Sequence, residues 1–81
     1  VDKDPNLLER LAAERAQVLA EIAAVEQART TASIDVERSR SLLSEGLIAR
    51  RDYEQAQIRV ADQGAKLAES RAKLNRIDVT I

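Results

Sequence analysis

RSRSLLSEGLIARRDYEQA, residues 38–56, reads as the end of one helix, a glycine turn and the start of another. Leu42 and Leu43 close an apolar stripe, and Gly46 can take the left-handed backbone that ends a helix. Leu47 and Ile48 are apolar but fall in the turn, and Asp52 lies in the first turn of the second helix, where its charge suits the helix dipole. Long helical patterns flank this piece on both sides. It is therefore the tip of a helical hairpin, the end that would meet a partner.

Working back from the tip, Leu8, Leu11, Val18, Ile22, Val25, Ala32, Val36 and Leu43 recur at alternating spacings of three and four. Arg15, Arg29 and Ser39 hold the remaining stripe positions. The two arginines either set the pairing register or lay their methylenes on the seam and keep their charge in water. Asp4-Pro5-Asn6 reads as a helix start, with Asp4 as N-cap and Pro5 at the first helical position, where a missing N–H costs nothing. A helix over 6–44 would run about 58 Å at a rise of ~1.5 Å per residue. Thr30, Thr31 and Ser33 form a local low in helix propensity, where a bend or break is expected.

Forward from the tip, Tyr53, Ala56, Val60, Gln63, Leu67, Ser70, Leu74 and Ile77 keep strict three-four spacing, a heptad seam that predicts a second helix over 50–76. Beside it runs Ala61, Ala65, Ala68, Ala72. This second stripe is either a contact for a further partner or alanine filling helix surface for its propensity. Gly64, inside the helix, fits close approach of a neighbour or has no packing role. Folding back at Gly46 sets Val36 near Ala56 or Gln57, Ile22 near Ser70 and Val18 near Leu74. Leu8 and Leu11 then have Val79 and Ile81 to meet, and 78–81 reads as β by propensity. The fold class is all-α: a long antiparallel two-helix coiled-coil hairpin, helices about 6–44 and 50–76, tip at Gly46.

Composition agrees. The chain has 81 residues, 33% charged, with 13 Lys and Arg against 14 Asp and Glu, and Tyr53 as its single aromatic residue. A compact globule normally buries several aromatic residues; an Ala, Leu, Glu and Arg-rich chain with helical periodicity is a long helix or coiled coil. The chain starts at Val1 and has no Met, which reads as a fragment excised from a larger protein, its β-rich flanking parts cut away. No apolar run approaches the ~18 residues that span a bilayer.

Chemistry is sparse. With no His and no Cys, the usual bases, nucleophiles and zinc ligands are missing, so no enzyme activity, no cofactor and no metal are expected. Glu14 and Glu21 share a helix face as solvated carboxylates. A nucleic-acid-binding helical arm would carry a basic stripe; here acidic residues interleave throughout at net charge −1, and only Tyr53 could stack a base, so no nucleic acid partner is expected.

The order Arg38, Leu42, Leu43, Ile48, Asp52, Tyr53, Ala56, with the exit LNRIDVTI over 74–81, resembles the α-hairpin of the membrane fusion protein family, the periplasmic adaptors of HlyD and AcrA type. The likeness covers 38–81; the 6–36 arm matches as a generic coiled coil. The resemblance implies a hairpin growing from a lipoyl-like β domain, in an adaptor anchored to the inner membrane of a Gram-negative bacterium and located in the periplasm. It implies a partner transporter in the inner membrane, reached through the missing domains, and a TolC-type channel in the outer membrane. The adaptors would form a homo-oligomeric ring whose hairpins bundle side by side, serving efflux or type I secretion. Carried onto this chain, the docking tip is Arg38, Leu42, Leu43, Gly46, Ile48 and Ala49, and the inter-hairpin contact is Ala61, Ala65, Ala68 and Ala72. Ala49 departs from the family, which has a serine there; as the N-cap of the second helix the alanine forgoes ~1 kcal/mol of capping and leaves Asp52 without its capping-box partner. The competing reading is a structural coiled-coil scaffold or oligomerisation hairpin with no export role. The isolated hairpin, with one narrow seam, is expected to be marginally stable or to self-associate.

Overall fold

A computed structural model describes residues 5–81. Two α-helices, α1 (Pro5–Ser44) and α2 (Arg50–Thr80), lie antiparallel in a rod of 68 × 14 × 12 Å. Proline sits at the first position of α1, as the start signal requires; Asp4, its expected N-cap, lies outside the described residues. The hairpin and its unequal arms agree with the sequence reading, with α1 at 40 residues and α2 at 31.

The three-four spacing becomes one seam. Val18, Ala32, Ala56, Leu67 and Ile77 are buried in it, with Ser70 among them, and no buried side-chain polar atom among the described residues lacks a hydrogen-bond partner. Leu11, Ile22, Val25, Val36 and Leu43 are half-buried on α1, as are Tyr53, Val60 and Leu74 on α2. Alanine and serine at 32, 56 and 70 let the helices approach closely. The register is the expected one: Val36 and Gln57 line one groove between the helices.

Among the described residues three ion pairs cross the seam: Arg15–Asp78 at 2.6 Å, Glu26–Arg71 at 3.5 Å and Glu21–Lys73 at 3.6 Å. All six side chains are about half exposed, so each pair contributes about 0–1 kcal/mol. Their value is in register, since a slip of one residue would misplace all three. Arg15 is thus a register residue, where a stem lying along the seam was the simpler expectation.

Three further expectations are corrected. Helix α1 runs unbroken through 30–33, where the Thr30 hydroxyl donates to the Glu26 carbonyl at 3.0 Å and so is satisfied inside the helix. Helix α2 continues to Thr80, and 78–81 is not a strand. The ladder carries on because Ile77 is buried, Asp78 reaches Arg15, the Thr80 hydroxyl donates to the Arg76 carbonyl and the Ile81 N–H to that of Ile77. These contacts outweigh the few tenths of a kcal/mol that β-branched residues cost in a helix. Finally, Leu8 is not covered by Val79 and Ile81. The first turns of α1 project past the end of α2, leaving Leu7, Leu8, Val79 and Ile81 at 45–78% exposed.

Substitution should separate seam from surface. Leu67→Ala is expected to lower stability by about 2 kcal/mol or more, and Leu19→Ala, on the 40% exposed outer side, by less than ~0.5 kcal/mol. Urea unfolding followed by circular dichroism measures both, and equal losses would overturn the seam described here.

Candidate docking tip and flanking faces

The tip is built by one glycine. After Ser44 the Gly46 backbone turns left-handed at φ +75°. Its N–H donates to the Leu43 carbonyl at 3.0 Å and that of Leu47 to the Leu42 carbonyl at 2.8 Å. This double closure is the Schellman motif, which satisfies carbonyls the helix end would otherwise orphan. A Cβ on Gly46 would meet nothing within 4 Å, so glycine is needed there for its backbone and not for space.

Beyond the turn, Ala49 is the N-cap of α2, extended at φ −80° and ψ 154°. Alanine has no side-chain oxygen to offer the helix. The Asp52 carboxylate nevertheless accepts from the Ala49 N–H at 3.2 Å, while the Asp52 N–H donates to the Ala49 carbonyl at 3.0 Å. Half of a capping box therefore survives, where the sequence suggested Asp52 had lost its partner.

The expected tip residues fall into two groups. Leu42, Leu43 and Ile48 are half-buried and close the end of the seam. Arg38, one turn below Leu42, is exposed and pairs with Asp35 of its own helix at 3.5 Å. Leu47, omitted from the expected tip set, is the apolar side chain most open to solvent there, at 66%. Its signal was in the sequence: the residue after a left-handed cap glycine is commonly apolar. Arg50 lies at 3.4 Å from Glu54, so the basic pair at 50–51 is set among acids as expected.

Below the tip, Arg40 links the helices. Its guanidinium faces the Tyr53 hydroxyl across the seam and lies 3.5 Å from Glu37; the Tyr53 contact, then Glu37, raises its pKa above the ordinary arginine value. The Gln57 amide donates to the same hydroxyl at 3.2 Å. Tyr53 thus accepts from Gln57 of its own helix and lies beside Arg40 of α1, a setting its heptad position alone did not indicate.

The flanks differ. One face holds a groove lined by Ser33, Val36, Glu37, Gln57, Val60 and Ala61, continued by Glu26, Arg29, Thr30 and Arg71. The opposite face holds a charged groove with Asp35, Arg59, Asp62 and Lys66. Ala61, Ala65, Ala68 and Ala72 are all exposed, outside the seam with α1. Gly64 is half-buried, and a Cβ there would meet nothing within 4 Å.

Among the described residues no three acidic side chains gather to hold a metal, and no helix is long and apolar enough to cross a membrane. No protein-family profile, curated protein or solved structure matches the chain.

Two substitutions read the tip directly. Gly46→Ala is expected to cost about 1–2 kcal/mol, all of it left-handed backbone strain. Ala49→Ser is expected to add about 0.5–1 kcal/mol by completing the cap. Thermal unfolding by circular dichroism gives both; a neutral Gly46→Ala would refute the Schellman closure.

Proposed function

We propose that this hairpin is the spacer and docking element of a periplasmic adaptor, bridging an inner-membrane exporter to a TolC-type outer-membrane channel. The observation that carries the reading is a rod 68 Å long whose glycine-closed tip leaves Leu47 66% exposed, with Arg38 and Leu42 a turn apart beneath it. Helix-to-helix docking needs such parts: an apolar knob to bury, a cation for carbonyl or carboxylate groups, and a stiff support. The surface pair with Asp35 is weak enough for Arg38 to exchange partners.

In this reading Leu42, Leu43, Gly46, Ile48 and Ala49 shape the tip and Arg38 addresses the channel. Ala61, Ala65, Ala68 and Ala72 form the contact between neighbouring hairpins in a ring, because small side chains let helix backbones come close. Ala49 offers no hydroxyl, so any hydrogen bond to the channel at this level comes from another group.

Photo-crosslinking from Leu42 and from Leu47, in the parent protein in its native cell, tests this. An outer-membrane channel as the main adduct is expected, with the yield lowered by Arg38→Ala. Capture of only another hairpin would favour the scaffold reading, and capture of a cytoplasmic protein would overturn the adaptor.

A further inference from the structure

The seam thins at the middle of its paired length. On α1 its large apolar residues stop at Val25 and resume at Val36, the longest gap in that stripe among the described residues. Ala28 and Ala32 face the seam in between, and Gln63 and Gly64 face it from α2. The polar contacts across the seam skip this stretch as well. Arg15–Asp78, Glu21–Lys73 and Glu26–Arg71 lie toward the base of the rod, and Arg40 meets Tyr53 toward the tip. Grooves open on both sides of the thin stretch, one beside Thr30 and Ser33 and the other beside Ala28 and Gln63.

Helix propensity is low at the same level. Thr30, Thr31 and Ser33 are poor helix formers. The Thr30 hydroxyl donates to the Glu26 carbonyl at 3.0 Å, a back-bond that loosens and bends helices. On α2 the weak residue is Gly64. A Cβ there would meet nothing within 4 Å, so the glycine relieves no crowding and its effect is to weaken the helix. Counting along the helices from Glu21–Lys73 sets Thr30 level with Gly64, and from Arg15–Asp78 level with Gln63. The weak points of the two helices therefore coincide, where least holds the helices together.

We propose that this waist is a hinge: both helices open there together while the seam on either side stays closed, and the rod bends about that point. Both helices are continuous through it, so it is a place of low stability and not a break. Local opening begins where few buried apolar contacts hold the chain. A bend of about 20°, the size at which glycine and serine kinks begin, would carry the tip, about 27 Å away at ~1.5 Å rise per residue, sideways by about 9 Å. The hinge belongs to the hairpin itself and does not rest on the docking role.

Amide hydrogen exchange of the 81-residue protein, resolved by nuclear magnetic resonance, tests it. A hairpin that only frays from its ends is most protected near the middle. Here the amides of 29–33 and 62–66 are expected to exchange at least ~10-fold faster than those of both flanks, 19–25 with 69–75 and 37–42 with 54–59. Protection at the waist equal to or above that of either flank overturns the proposal. Leu74→Ala, in the base half, should speed exchange at 69–75 at least ~10-fold and change the waist less than ~2-fold. Equal acceleration of both means that the waist opens only by global unfolding, which also overturns it. Gly64→Ala, a better helix former that keeps the test open if Leu74→Ala fails to fold, should slow exchange about fivefold at 62–66 and, across the seam, at 29–33. Unchanged rates at 29–33 would show that the helices do not open together, and the hinge would be refuted.

Discussion

Everything in this molecule hangs on one narrow seam. Val18, Ala32, Ala56, Leu67 and Ile77 are its only buried apolar residues among those described, and they are spread along a 68 Å rod. Such a seam has no second layer to share the load, so each residue matters more than it would in a globule. The small residues at 32, 56 and 70 bring the helices close enough for Arg15, Glu21 and Glu26 to reach across. Apolar burial supplies the attraction, and the half-exposed ion pairs select one register.

The two helices depend on that seam differently. Helix α2 carries charged residues along its open side, Arg59, Asp62, Lys66 and Glu69 among them, and is a conventional amphipathic helix. Between Ala12 and Gln27 the exposed side of α1 is mostly alanine, interrupted by Glu14, Gln17, Leu19 and Gln27, while Arg15, Glu21 and Glu26 are engaged by α2.

At the tip the constraint is backbone geometry. Gly46 reverses the chain without strain, and the two bonds it permits leave Leu47 facing outward. Asp52 then organises the start of α2 even though Ala49 contributes no side-chain oxygen. The result is a turn closed by backbone hydrogen bonds with an apolar side chain at its end.

Features that depend on near neighbours in the chain were legible in the sequence. The three-four spacing made both helices and chose the seam residues, Gly46 made the turn, and the position of that turn fixed which residues stand opposite, Val36 beside Gln57 included. Expectations failed where a distant partner decides. Propensity marked 78–81 as β, yet Asp78 is held in the helix by Arg15, sixty-three residues away. The exposure of Leu8 comes from where α2 stops, and the roles of Arg40 and Tyr53 from their meeting across the seam. Tertiary structure also showed that the alanine stripe lies outside the seam. Local periodicity encodes each helix's own stripe. Only packing the two together says which surfaces are used up and which remain.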